Sequence, residues 1–194
     1  MPSPRFSLRE TDSPFAVGRS KSGTSRPISG TPAIGVGAGN VSVIIDSGAD
    51  LKDAAEKVAA SKIFDNSTSC SSENAVIILS DVYDHMIQAL KATGGYLVDA
   101  DEKKKIQDTL WVDGCLNRKV IAKDPDVFAS EAGLGEDAAK AKFFLVEDEN
   151  PGPGTPFADE KLSLVLTVYR ARNFDDAMAQ VNAIMDVCGR GHSV

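Results

Sequence analysis

The chain lacks most of the features that would fix its class at a glance. It has no basic excess: 21 Lys and Arg stand against 28 Asp and Glu, a net charge of −7. A nucleic-acid role therefore has no electrostatic support, because phosphate binding needs clustered cations. No apolar run approaches the roughly 20 residues of a membrane helix. The N-terminus has no apolar signal core, so secretion is not expected. Cysteine is scarce. Three residues, without paired spacing, read as reduced thiols of a cytoplasmic protein rather than as a disulfide framework. With only two histidines beside them there is no metal-ligand spacing, and no metal is expected. No serine stands in a Gly-x-Ser-x-Gly elbow, which removes the usual signature of a serine hydrolase. No internal repeat is present.

What remains is ordinary in amount and informative in order. The 194 residues are 42% hydrophobic and 25% charged, enough for one domain with a sizeable core. Residues 1–28 are rich in Ser, Pro, Gly and Arg and carry no apolar period, so a disordered or remnant leader is expected there. Residues 29–194 are expected to form the domain.

Within it, Val41-Ser-Val-Ile-Ile45 reads as a strand. Asp50 caps a helix with an imperfect capping box to Asp53, and Leu51, Ala54, Ala55, Val58 and Ala59 form its apolar stripe. Ala75-Val-Ile-Ile-Leu79 is a buried strand. A helix from about Asp81 buries Val82, Met86, Ile87 and Leu90 and stops at Gly94-Gly95. A charged helix covers about 101–110, where Lys103-Lys-Lys105 reads as a solvated face. Asp124-Pro125 opens a short helix with Gly133 past its end. Phe143–Val146 and Leu162–Tyr169 are strands. A last helix sets Phe174, Ala177, Met178, Val181, Ile184, Met185 and Cys188 on one face and ends at Gly189. Helices alternating with short, continuous apolar strands predict an α/β fold with a mostly parallel sheet.

The segment Phe64-Asp-Asn-Ser-Thr-Ser-Cys70-Ser-Ser-Glu-Asn74 stands apart. It places a cysteine among small polar residues between a helix and a buried strand. A thiol there can be exposed and lowered in pKa by backbone N–H groups, as a nucleophile requires. On these residues alone, the functional and structural readings of Cys70 stand level. Cys188, on an apolar helix face, reads as core. Cys115, in Val112-Asp-Gly-Cys-Leu-Asn117, is assigned to packing. His85 reads as a surface or half-buried residue, and His192 lies in a glycine-rich terminal segment. The run Gly35-Val-Gly37-Ala-Gly39-Asn40 is not a dinucleotide fingerprint, because a strand follows it where a helix is needed.

Several segments taken together are similar to the aldehyde dehydrogenase superfamily, and most to its CoA-acylating branch. They run from Pro32-Ala-Ile-Gly-Val-Gly-Ala-Gly-Asn40 through Asp46–Asp50, Lys62-Ile-Phe-Asp-Asn66 and Cys70-Ser-Ser-Glu-Asn74. They continue with Leu116-Asn117, Ala129–Gly133, Pro156-Phe157, Glu160-Lys-Leu-Ser163 and Gly191-His-Ser193. The resemblance covers residues 29 to 194. It implies an aldehyde-dehydrogenase-like catalytic domain without the dinucleotide-binding domain that precedes it in the family, and truncated at its C-terminus.

The resemblance also implies a chemistry. Cys70 matches the catalytic nucleophile, and its backbone N–H would help hold the oxyanion. Glu160 matches the glutamate that contacts the nicotinamide ribose of NAD or NADP. CoA would take the acyl group as co-substrate. The implied substrates are a small aldehyde and an acyl-CoA, and the implied assembly is a homo-oligomer. Gly35 stands where hydrolytic members carry a general-base glutamate, which favours a thiol acceptor over water. Leu164 replaces a proline usual after the Glu160 segment. Two alternatives stay open at this point: a non-catalytic interaction or assembly piece, and a hydrolytic NAD-dependent aldehyde dehydrogenase.

Overall fold

A computed structural model describes residues 39–188 and residue 190. The leader, Pro32, Gly35, Gly37, Gly189, Gly191, His192 and the side chain of Cys188 lie outside the described residues, and so do the expectations attached to them.

Five parallel strands form one sheet in the order β1-β2-β7-β6-β3. The strands are β1 (Ser42–Ile45), β2 (Ala75–Leu79), β3 (Gly95–Leu97), β6 (Phe143–Glu147) and β7 (Val165–Ala171). A separate antiparallel hairpin pairs β4 (Trp111–Val112) with β5 (Cys115–Leu116). The helices are α1 (Leu51–Ile63), α2 (Tyr83–Ala92), α3 (Ala100–Leu110), α4 (Pro125–Glu131), α5 (Glu136–Ala139) and α6 (Phe174–Cys188). The expected α/β class and parallel sheet are both present.

The apolar runs are continuous because both faces of the sheet are covered. Successive side chains of a strand point to opposite faces. Val76 and Ile78 of β2 pack with Ala55, Val58, Met86, Leu90 and Phe128 from the α1–α5 side. Ala75, Ile77 and Leu79 pack with Ala177, Val181 and Ile184 of α6. The larger core also holds Phe143, Phe144, Leu145 and Val146 of β6, all fully buried.

Local chemistry sets the helix ends. The Asp50 carboxylate accepts from the N–H groups of Lys52 and Asp53, both at 3.1 Å, and so starts α1. The full capping box lies elsewhere, at α3. There Asp99 accepts from the Glu102 N–H, and Glu102 accepts in return from the Asp99 N–H.

Several expectations need correction. β3 starts at Gly95, inside the glycine pair that the sequence pattern assigns to a helix stop alone. A Cβ on Gly95 would come within 2.9 Å of the Leu90 carbonyl and the Phe143 ring, so only glycine lets β3 enter beside β6. β7 begins at Val165 rather than 162, because Leu162 has a left-handed φ of 45° that cannot continue a strand. Phe174 and Met178 are 52% and 41% exposed, so they flank the buried face of α6 instead of belonging to it. Cys115 is exposed, because only Trp111, packed on the core, and Leu116 of the β4–β5 hairpin are half-buried, while residues 112–115 at its tip face solvent.

Candidate active site

Cys70 and Glu160 arise on equivalent loops of neighbouring strands. Cys70 precedes β2, Glu160 precedes β7, and β2 and β7 pair in parallel from Ala75↔Thr167 onward. Both residues therefore lie at the same end of the sheet, beyond the N-termini of its two central partner strands.

The Cys70 loop begins with an unusual backbone. A 3-10 turn over Phe64–Ser67 follows α1, and Asp65, Asn66 and Ser67 have φ of 49°, 49° and 61° in succession. Asp and Asn tolerate the left-handed region, whereas Ser is less suited to it. Left-handed positions of this kind cost on the order of 1–3 kcal/mol each and persist where surrounding bonds over-determine them. Those bonds are present. The Thr68 hydroxyl donates to the Asp65 carbonyl at 2.6 Å, and the Asn66 amide donates to the Ala122 carbonyl at 3.3 Å and the Asp124 carboxylate at 2.8 Å. Beyond this turn Cys70 is exposed, while Ser67, Ser72 and Asn74 are buried.

The far side of the loop is pinned to α1 and to the sheet. The Ser72 hydroxyl donates to the Ser61 carbonyl at 3.2 Å. The Lys62 ammonium, fully buried, donates to the Glu73 carbonyl at 2.9 Å. Asn74 donates through its N–H to the Val41 carbonyl and accepts at its carbonyl from the Thr167 N–H.

The Glu160 loop is held by a second buried lysine. The Lys161 ammonium donates to the carbonyls of Phe157 and Asp159 at 2.9 and 3.0 Å. Its N–H donates to the Asn74 side-chain oxygen at 3.1 Å, which joins the two loops directly. Asn40 donates to the Ala158 carbonyl and anchors the preceding turn. Phe157 packs edge-on against Trp111, with ring centroids 5.4 Å apart. Glu160 itself is half-buried.

Burial pushes the Lys62 ammonium well below its ordinary range. The positive charge of Lys161 adds to this, and the Glu73 carboxylate opposes it. Neither buried lysine was singled out from the sequence. A signal for Lys62 was there, since it continues the buried α1 stripe of Ala55, Val58 and Ala59 at helical spacing. Lys161 and Asn74 carry no such signal, because their burial depends on contacts between loops far apart in the chain.

His85 is exposed on α2. Among the described residues no group of three or more His, Cys, Asp or Glu could hold a metal, and no helix is long and apolar enough to cross a membrane.

No family model matches the chain. Individual relatives do. The sulfoacetaldehyde dehydrogenase (acylating) of Cupriavidus necator is 44% identical over 188 residues, which is 96% of this chain and 38% of that protein. The acetylating aldehyde dehydrogenase of Geobacillus thermoglucosidasius superposes with a TM-score of 0.80 at 35% identity, over 84% of this chain and 36% of that one. A propionaldehyde dehydrogenase of Rhodopseudomonas palustris, solved with bound CoA and an acylated cysteine, gives a TM-score of 0.71 at 28% identity, over 80% of this chain and 35% of that one. The chain thus spans little more than a third of the length of such relatives. Over that third, the chain is similar in both sequence and fold to acylating members of the aldehyde dehydrogenase superfamily.

Proposed function

We propose that the chain carries the nucleophile of a CoA-acylating aldehyde dehydrogenase, and that Cys70 is that nucleophile. The observation that carries this reading is the setting of Cys70. It is an exposed thiol on a loop whose backbone is strained, pinned at both ends, and bonded to the segment that bears Glu160.

The Cys70 thiolate adds to the carbonyl carbon of a small aldehyde, and its sulfur carries the resulting thiohemiacetal. The Cys70 backbone N–H helps hold the oxyanion. A bound NAD or NADP supplies the two-electron acceptor needed between this adduct and a thioester on the same sulfur. The CoA thiol then attacks the thioester carbonyl, the acyl group passes to CoA, and Cys70 leaves as the thiolate. Every step is reversible. Glu160 fits the cofactor's ribose in its chemistry, since a half-buried carboxylate accepts hydrogen bonds from two vicinal hydroxyls at once. The same reading carries a homo-oligomeric assembly and a cytoplasmic location. The exposed thiols of Cys70 and Cys115 support a reducing compartment.

The test uses the reverse half-reaction, which needs no nicotinamide. The chain is incubated with acetyl-CoA, and the adduct is found by intact mass and located by peptide mapping. Acetylation of Cys70 that hydroxylamine reverses, and that Cys70→Ala abolishes, is the expected result. Equal labelling of Cys70 and Cys115, or labelling retained by Cys70→Ala, refutes the assignment.

A further inference from the structure

Left-handed backbone is concentrated around the two candidate residues, and hydrogen bonds join the pieces. Asn66 (φ 49°) donates to the carbonyl of Ala122 (φ 58°), and the Ala122 N–H donates at 3.1 Å to the carbonyl of Leu162 (φ 45°). Leu162 lies two residues beyond Glu160. On the other side of Cys70, Asn74 accepts from the N–H of Lys161, the residue next to Glu160. Cys70 thus sits midway between two asparagines, and each is tied to the chain just after Glu160. One tie is direct, and the other passes through the strut at Ala122.

Asp124 shows that the outer tie is more than incidental. It occupies the N-cap position of α4, ahead of Pro125, where its carboxylate would ordinarily accept from the first N–H groups of the helix. It makes no such bond, and its carboxylate accepts from Asn66 instead. A local preference is set aside for a contact with the Cys70 loop, which is the pattern expected at functional sites.

We propose that Asn66 and Asn74 are positioning residues that hold the Cys70 loop in fixed register with the Glu160 segment. This rests on Cys70 being the nucleophile and Glu160 its neighbour on the cofactor side. The strut then sets where the sulfur stands relative to the bound cofactor and to the carbonyl it attacks. Small displacements matter here, because a misplacement of about 1 Å can cost about a hundredfold in rate.

Asn66→Asp is the informative change. It keeps a side chain that tolerates left-handed backbone, removes the donor, and sets a carboxylate against Asp124. Adding Asp124→Asn restores a donor–acceptor pair between positions 66 and 124 with its direction reversed, but not the bond to the Ala122 carbonyl. The full chain is followed by hydrogen exchange and by acetyl transfer from acetyl-CoA to Cys70, measured against acetyl-CoA concentration. In the single variant, exchange is expected to quicken in peptides 64–74 and 158–164 together. The saturating transfer rate should fall about tenfold or more, with the half-saturating concentration unchanged. The double variant should recover the exchange of 64–74 in part and leave 158–164 fast and transfer slow, because position 66 still has no donor for the Ala122 carbonyl. Faster exchange confined to 64–74, or a double variant in which 158–164 and the transfer rate return to the parent values although the donor to the Ala122 carbonyl is missing, overturns the proposal. A parent chain that takes no acetyl group refutes the nucleophile reading, and the exchange of 158–164 still decides whether Asn66 couples the loops.

Discussion

Lys62 offers a prediction whose size follows from its setting. The side chain is fully buried at the end of α1, and its ammonium has one carbonyl partner, Glu73, with the charge of Lys161 near enough to oppose it. Removing an ion from water costs several kcal/mol, whereas a hydrogen bond to a charged group returns about 1.5–3 kcal/mol. The folded state therefore disfavours the proton on Lys62, and the unfolded chain does not. Between the lowered folded pKa and the ordinary value of 10.5, the unfolded chain binds more protons than the folded one. Stability must then rise with pH across that window, by at most about 1.4 kcal/mol per pH unit for a single group. Lys62→Met keeps the unbranched stem and removes the charge. At neutral pH it should be neutral or stabilising by about 1–3 kcal/mol, and its advantage should shrink as pH rises. Urea unfolding followed by the fluorescence of Trp111, between about pH 7 and 9, avoids the tyrosine range near 10. Parallel stability curves for the parent and Lys62→Met would refute the reasoning. The variant should at the same time slow acetyl transfer to Cys70, because Glu73 loses the donor that pins the loop.

Two further outcomes test the core. Tyr169 is 1% exposed, and its hydroxyl has no hydrogen-bond partner among the described residues. Burial, with the Asp148 carboxylate, holds its phenol well above the usual range. Its contribution is complete below the unfolded value of about 10 and is lost as pH rises beyond it. Tyr169→Phe should therefore gain about 1 kcal/mol at neutral pH and flatten the alkaline loss of stability, as urea titrations near pH 7 and above 10 would show. Phe128, fully buried on α4, stacks at 5.1 Å on Phe144 of β6. Phe128→Ala should lower the unfolding free energy by about 3–5 kcal/mol, and a loss under about 1 kcal/mol would mean that α4 is not part of the cooperative core.

Much of this architecture is legible in the sequence because burial on both faces leaves a continuous apolar run. β1, β2 and β6 announce themselves that way, and so do the helices that carry one buried stripe. β3 does not, since three residues opened by a glycine carry too little pattern to separate from a helix stop. β7 shows its body and hides its start, because the left-handed turn at Leu162 is imposed by contact with Ala122 and not by local preference. The candidate site divides in the same manner. Cys70 stands out by its polar neighbours, and Glu160 by resemblance. Of the groups that position them, Asn66, Asn74 and Lys161 act through partners dozens of residues away, and Lys62 through a carbonyl eleven residues on. The fold rule would have misled, too. Open parallel sheets bind ligands beyond the C-terminal ends of their strands. That end holds a groove lined by Tyr83, Asp99, Lys103, Glu147, Asp148 and Arg170, whereas Cys70 and Glu160 lie at the opposite end.

The pairing of β2 with β7 has a consequence during synthesis. Ala75 must wait for Thr167, about ninety residues later. At about 5–20 residues per second, the ribosome leaves the run Ala75–Leu79 without its central partner for roughly 5–20 s. β1 can cover only one of its edges in that interval. The other is a bare, wholly apolar template for joining chains together. Yield from expression should therefore depend on translation speed and chaperone supply more than on the stability of the finished fold.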